Sequence, residues 1–148
     1  MKADHAILLV EDNPADVKIT QRAIKESGLP FDLIVVRDGQ EALDYLHQQG
    51  NHAESHPWRI PALILLDINL PRMNGRQVLE HIRNTPTLRA VPVVVLTTSK
   101  REEDIRQMYS AGANTYIEKP QDFQRFLHVL QMIHHYWMDM AVLPPQPE

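Results

Sequence analysis

The chain has 148 residues, 43% of them hydrophobic and 23% charged, with a formal net charge of −4. That length supports one domain with a proper core, and the acidic balance argues against nucleic-acid binding, which asks for a basic stripe. Cysteine is absent, which excludes disulfides, thiolate metal sites and a cysteine nucleophile.

In chain order, Ala6–Val10 (AILLV) is a short apolar run that meets Glu11 and Asp12 at once. It is too short for a signal peptide, and no stretch reaches the roughly 18 apolar residues of a membrane span. The expectation is a cytoplasmic protein with no membrane contact. Asn13 before Pro14 suits an N-cap with proline at the first helical position, and helical spacing of Val17, Ile19, Ala23 and Ile24 runs to Gly28. Residues 31–36 form a second strand, and Asp38-Gly39 turns into a helix around Ala42, Leu43 and Leu46. Residues 62–66 are the third apolar run, and 75–83 a helix carrying Val78, Leu79 and Ile82 at helical spacing. Residues 91–96 (VPVVVL) favour strand through their β-branched content. A helix over Glu102–Ala111 ends at Gly112, residues 115–117 make a short fifth strand, and a long last helix starts at Asp122. Five strands alternating with five helices predict a doubly wound α/β fold, a parallel sheet covered on both faces.

In such sheets the site lies beyond the carboxyl ends of the strands. Glu11 and Asp12 end the first strand, Asp67 the third, Thr97 and Thr98 the fourth, and Lys119 the fifth. Three converging carboxylates repel one another unless a cation sits among them, and hard oxygen donors without cysteine point to Mg²⁺ or Mn²⁺. A lysine and a threonine hydroxyl facing the same point suit phosphoryl oxygens. Asp67 is then placed as a nucleophile toward phosphorus, forming an acyl phosphate.

Four segments carry a family resemblance: LLVEDN (8–13), LILLDINLPRMNG (63–75), PVVVLTTS (92–99) and YIEKP (116–120). In order and spacing they resemble the receiver domains of two-component response regulators. The resemblance implies a CheY-like, flavodoxin-like (βα)5 sheet of order 2-1-3-4-5, with a receiver domain over 1–138 and a proline-containing tail over 139–148. It implies Asp67 as phosphoacceptor, with Mg²⁺ (or Mn²⁺) held by Glu11, Asp12, Asp67 and the backbone carbonyl of Asn69. Thr97, Thr98 and Lys119 would contact the phosphoryl group, Thr97 and Tyr116 would form the switch, and the Lys119-Pro120 bond would be cis. The donor would be a histidine kinase. Two departures stand out: Thr98 occupies a position where the family often has a smaller residue, and the loop 50–60 (GNHAESHPWRI) is longer than in minimal members.

Rival readings fare worse. No GxxxxGK[ST] occurs, which removes a P-loop hydrolase. A haloacid-dehalogenase-like phosphatase would place an acid two residues after its nucleophile, where this chain has Asn69, a poor proton carrier. A degenerate receiver acting as a scaffold would not need the full set of reacting groups. The histidines, among them His52, His56, His134 and His135, read as solvated. On the last helix, one stripe (Phe123, Phe126, Leu127, Leu130, Ile133, Trp137) suits the sheet. A second stripe (Val129, Met132, Tyr136, Met140) is surplus, and with Trp137 and Leu143 it is expected to form a homodimer contact. The HYWMDMAVLPP tail and the long loop resemble single-domain regulators paired with bacterial phytochrome kinases. No segment after the fifth helix is long enough for an output domain, so output is expected through the receiver's own surface.

Overall fold

The computed structural model describes residues 5–47 and 60–145. The strands are β1 (Ala6–Val10), β2 (Asp32–Val36), β3 (Leu63–Leu66), β4 (Val93–Thr97) and β5 (Thr115–Glu118). They form one parallel sheet in the order 2-1-3-4-5, joined by α1 (Pro14–Ser27), α2 (Gly39–Leu46), α3 (Gly75–Asn84), α4 (Glu102–Ala111) and α5 (Phe123–His134). The long loop 50–60 lies outside the described residues except for Ile60.

β1, β3 and β4 are buried along their whole length, which explains why they read as unbroken aliphatic runs rather than alternating ones. Their side chains alternate between two cores. Leu8, Val10, Ile64, Leu66, Val93 and Val95 pack under α2, α3 and Met108 of α4. Ile7, Leu9, Leu63, Leu65, Val94 and Leu96 pack against Ala23 of α1 and Phe126, Leu130 and Ile133 of α5. The first stripe of the last helix therefore faces the sheet as expected.

Local chemistry sets the helix ends. Asn13 caps α1 by accepting from the N–H groups of Ala15 and Asp16, and Gly28 closes it in the left-handed conformation at φ 64°. Asp38 caps α2, and Asn74 with Gln77 forms a reciprocal capping box at the start of α3.

Three expectations are corrected. β4 begins at Val93 rather than at 91, because Pro92 has no N–H for the ladder and the Val91 N–H turns back to the Leu88 carbonyl. The last helix does not stay α-helical: it widens into a π-helical turn over His135–Met140, closed by the Ala141 N–H on the Tyr136 carbonyl at 2.7 Å. The Lys119–Pro120 bond is trans, since no cis peptide occurs among the described residues. The intrinsic gap between the two prolyl isomers is only about 0.5–1 kcal/mol, so proline alone does not dictate cis. The helical part reaches Met140, two residues past the domain limit of 138 expected from the sequence, and no helix of the described residues is long and apolar enough to cross a membrane.

Candidate functional site

The register of the sheet brings the acidic residues together. Val10 and Leu66 are paired across β1 and β3, so Glu11 and Asp67 leave neighbouring strands side by side. The Glu11 N–H is taken by the Val36 carbonyl and the Asp67 N–H by the Val10 carbonyl, at 3.0 and 3.1 Å. One carboxylate oxygen each from Glu11, Asp12 and Asp67 lies within 4.8 Å of the others. Glu11 is buried at 1% exposure, and Asp12 is exposed. β5 delivers Lys119 to the same point, its N–H bound to the Thr97 carbonyl at 2.7 Å. The Lys119 ammonium donates to Glu11, to Asp16 at 3.1 Å and to Asp67 at 3.3 Å.

Electrostatically the pocket is short of positive charge. Burial pushes the Glu11 carboxyl up to about 7; the hydrogen bond from Lys119 opposes that, and the neighbouring charge of Asp67 adds to it. Burial alone would lower the pKa of Lys119, but the hydrogen bond to Glu11 and the charges of Asp67 and Glu11 outweigh it, so its pKa rises and it stays an ammonium. One buried ammonium against a set of hard carboxylate oxygens matches what a hard divalent cation requires.

Asp67 is held by its own loop. Its Oδ1 accepts from the Ile68 N–H at 2.7 Å, while Oδ2 faces Lys119. Gly75 packs against this backbone: a Cβ there would stand 2.4 Å from the Asp67 carbonyl oxygen and 2.7 Å from the Ile68 Cα. Arg72 adopts a positive φ of 65°, uncommon for a side-chain-bearing residue, and its guanidinium reaches Asp38 at 2.6 Å. Burial would raise the Asp38 carboxyl, but the Glu41 N–H and Arg72 hold it below its usual range. The loop after Asp67 is thereby tied to the start of α2.

Thr97 is fully buried, and its hydroxyl accepts weakly from the Ser99 N–H at 3.4 Å. Thr98 is exposed and lines a cleft of about 360 Å³ with Asp16, Arg22, Lys119 and Phe123. Tyr116 lies on β5. Its hydroxyl donates to the Ser99 carbonyl at 2.9 Å, burial keeps that hydroxyl protonated by raising its pKa, and its N–H is taken by the Tyr109 hydroxyl at 3.1 Å. Tyr116 is thus coupled to the segment that follows Thr97. Asn69 is exposed, two residues after Asp67.

Asp16 is the site residue that sequence reasoning missed. It is an unremarked first-turn acid of α1, and only the converging Lys119 gives it a role. Among the expected solvated histidines, His134 stacks on Phe31 with ring centroids 5.7 Å apart, His135 lies 3.4 Å from Asp139, and His52 and His56 lie outside the described residues. The six residues expected at a dimer contact do not make one patch. Val129, Met132, Tyr136 and Trp137 line a groove of about 310 Å³ beside β5, and Met140 is 64% exposed. Leu143 instead folds back to line a pocket of about 300 Å³ with Pro61, Pro86 and Pro92.

Comparison with known proteins agrees with this geometry. Residues 7–131 match the response regulator receiver domain family. Response regulator Rcp1 of Synechocystis sp. is 41% identical over 138 residues, 93% of this chain and 92% of Rcp1. The crystal structure of the phosphorylated cyanobacterial phytochrome response regulator RcpA superposes with a TM-score of 0.86 at 43% identity, covering 97% of this chain and 100% of that one. The Mn²⁺-bound form of Rcp1 superposes with a TM-score of 0.83 at 40% identity, covering 95% and 99%. With its sheet order, its acidic strand ends and a family match over most of its length, the chain belongs to the response regulator receiver domain family.

Proposed function

We propose that the chain is a response regulator that accepts a phosphoryl group on Asp67 from the phosphohistidine of a histidine kinase in the cytoplasm. The observation that carries this reading is the convergence of Glu11, Asp12, Asp67 and Lys119 on one point at the carboxyl edge of the sheet. An Asp67 carboxylate oxygen attacks phosphorus, a P–O bond forms, and the P–N bond breaks with its electron pair leaving on the kinase imidazole. Lys119, already 3.3 Å from Asp67, neutralises charge on a phosphoryl oxygen, and the buried Thr97 hydroxyl donates to another. Glu11, Asp12, Asp67 and the Asn69 carbonyl hold Mg²⁺ or Mn²⁺, consistent with the Mn²⁺-bound form of Rcp1. When bound, the ion offsets the charge of the carboxylates and of the phosphoryl oxygens. Exposed Thr98 stands at the mouth of the cleft and limits the approach of water to the acyl phosphate, so the chain's own residues also set how fast it is lost.

Phosphorylation draws Thr97 toward the new phosphoryl group. Tyr116 follows through its bond to Ser99, and the surface formed by α4, β5 and α5 changes shape. The signal then leaves through protein–protein contacts rather than nucleic acid. We assign the groove lined by Val129, Met132, Tyr136 and Trp137, with exposed Met140, to a homodimer contact. Leu143, which lines a separate pocket, lies outside that groove. The likeness to RcpA supports a phytochrome kinase as donor, and hence light signalling.

The kinase reading is tested by phosphotransfer. A phytochrome histidine kinase, autophosphorylated with labelled ATP, is mixed with the chain. Label moving from kinase to regulator within minutes supports the assignment, and label that stays on the kinase in the presence of Mg²⁺ overturns it.

A further inference from the structure

His47 and His81 lie 34 residues apart in sequence, yet their Nε2 atoms stand 2.7 Å from one another. His47 is the C-cap of α2 and His81 lies in the last turn of α3. Both helices run antiparallel to the strands, so their ends lie at the amino edge of the sheet, opposite Asp67. The rings meet edge to face at 90°, with centroids 5.0 Å apart. His47 is exposed and His81 half-buried. Burial first, and the neighbouring His47 second, lower the pKa of His81.

At this separation one nitrogen carries the proton and the other offers its lone pair. A shift of that proton to the ring's Nδ1 frees both Nε2 lone pairs with no net loss of a proton. Two imidazole nitrogens bound at about 2.0–2.1 Å to one ion are about 2.9 Å apart for a right-angled bite and about 3.4 Å for a tetrahedral one. The observed gap needs only a few tenths of an ångström of widening to meet the right-angled case, which Cu²⁺ and Ni²⁺ favour. Exposure of His47 leaves the remaining coordination positions open to water.

We propose that His47 and His81 form a two-imidazole site for a transition-metal ion of the Cu²⁺ or Ni²⁺ class, bridging the ends of α2 and α3 and separate from the carboxylate pocket at Asp67. The site does not depend on the phosphoacceptor reading, since it shares no residue with that pocket.

The test is electron paramagnetic resonance of the full chain with one equivalent of Cu²⁺, with Mg²⁺ in excess to fill the carboxylate pocket. The wild-type protein and an Asp67→Asn variant should both show coupling to two imidazole nitrogens. His47→Gln and His81→Gln should each lose that pattern and bind Cu²⁺ at least about tenfold more weakly, whereas His128→Gln, on exposed α5 surface, should change nothing. Because His47 is exposed, its variant keeps the test valid even if His81→Gln fails to fold. A two-nitrogen signal that survives in His47→Gln, or none in the wild type, would overturn the proposal.

Discussion

Lys119 faces three carboxylates with a single ammonium, and Glu11 is the one most deeply buried. Its carboxyl, raised from 4.5 to about 7, holds its proton more tightly in the folded chain than in the unfolded one. The contribution of Glu11 to the stability of the metal-free protein must therefore fall as pH rises from about 4.5 to about 7, by on the order of 3 kcal/mol, and level off above. Urea denaturation in EDTA at pH 5 and pH 7.5 checks this sign; equal or greater stability at pH 7.5 would count against it. Divalent cation binding displaces that same proton. Mg²⁺ affinity should weaken about fivefold between pH 7 and pH 6 in the wild type and show little of that slope in Glu11→Gln, as calorimetric titration would report. At this scale Glu11 and Asp67 were legible because each follows an apolar run directly, and Asp12 and Lys119 because each comes one residue later at a strand end. Asp16 was not, since nothing in the sequence shows that a lysine more than a hundred positions away reaches it.

The element that positions Asp67 is the loop from β3 to α3, and it is built with no spare room. Met73 crowds Gly39, where a Cβ would stand 2.1 Å from the Met73 carbonyl oxygen, while Asp67 and Ile68 crowd Gly75. Gly75→Ala should cost about 1–3 kcal/mol in urea denaturation through this overpacking, and should slow phosphorylation by displacing the Asp67 backbone. A variant of wild-type stability would mean that the loop is looser than its contacts indicate. Element types were legible throughout, since strand runs and helical spacing differ in period. Boundaries slipped where a local hydrogen bond decided them, as at Pro92. The change from α to π geometry at His135 left no trace in the apolar spacing.

At the scale of the whole molecule, doubly wound packing leaves an apolar surface uncovered on the last helix: Met132, Tyr136 and Met140 are 52%, 51% and 64% exposed. Met132→Glu should turn a dimer into a monomer in sedimentation velocity, with the fold unchanged by circular dichroism. A dimer that persists would move the contact elsewhere. The surplus of apolar residues on the last helix was readable as a stripe beyond the width a surface helix buries. The direction of the tail was not. Leu143 lines a pocket with Pro61, Pro86 and Pro92, residues far apart in sequence that no local pattern brings together.

The central claim, that Asp67 is the phosphoacceptor, is tested most directly by intact mass after incubation with acetyl phosphate, with and without Mg²⁺, beside an Asp67→Asn variant. A single phosphoryl adduct that requires Mg²⁺ and is missing from the variant is the predicted result. No adduct on the wild type, or an equal adduct on the variant, would contradict it.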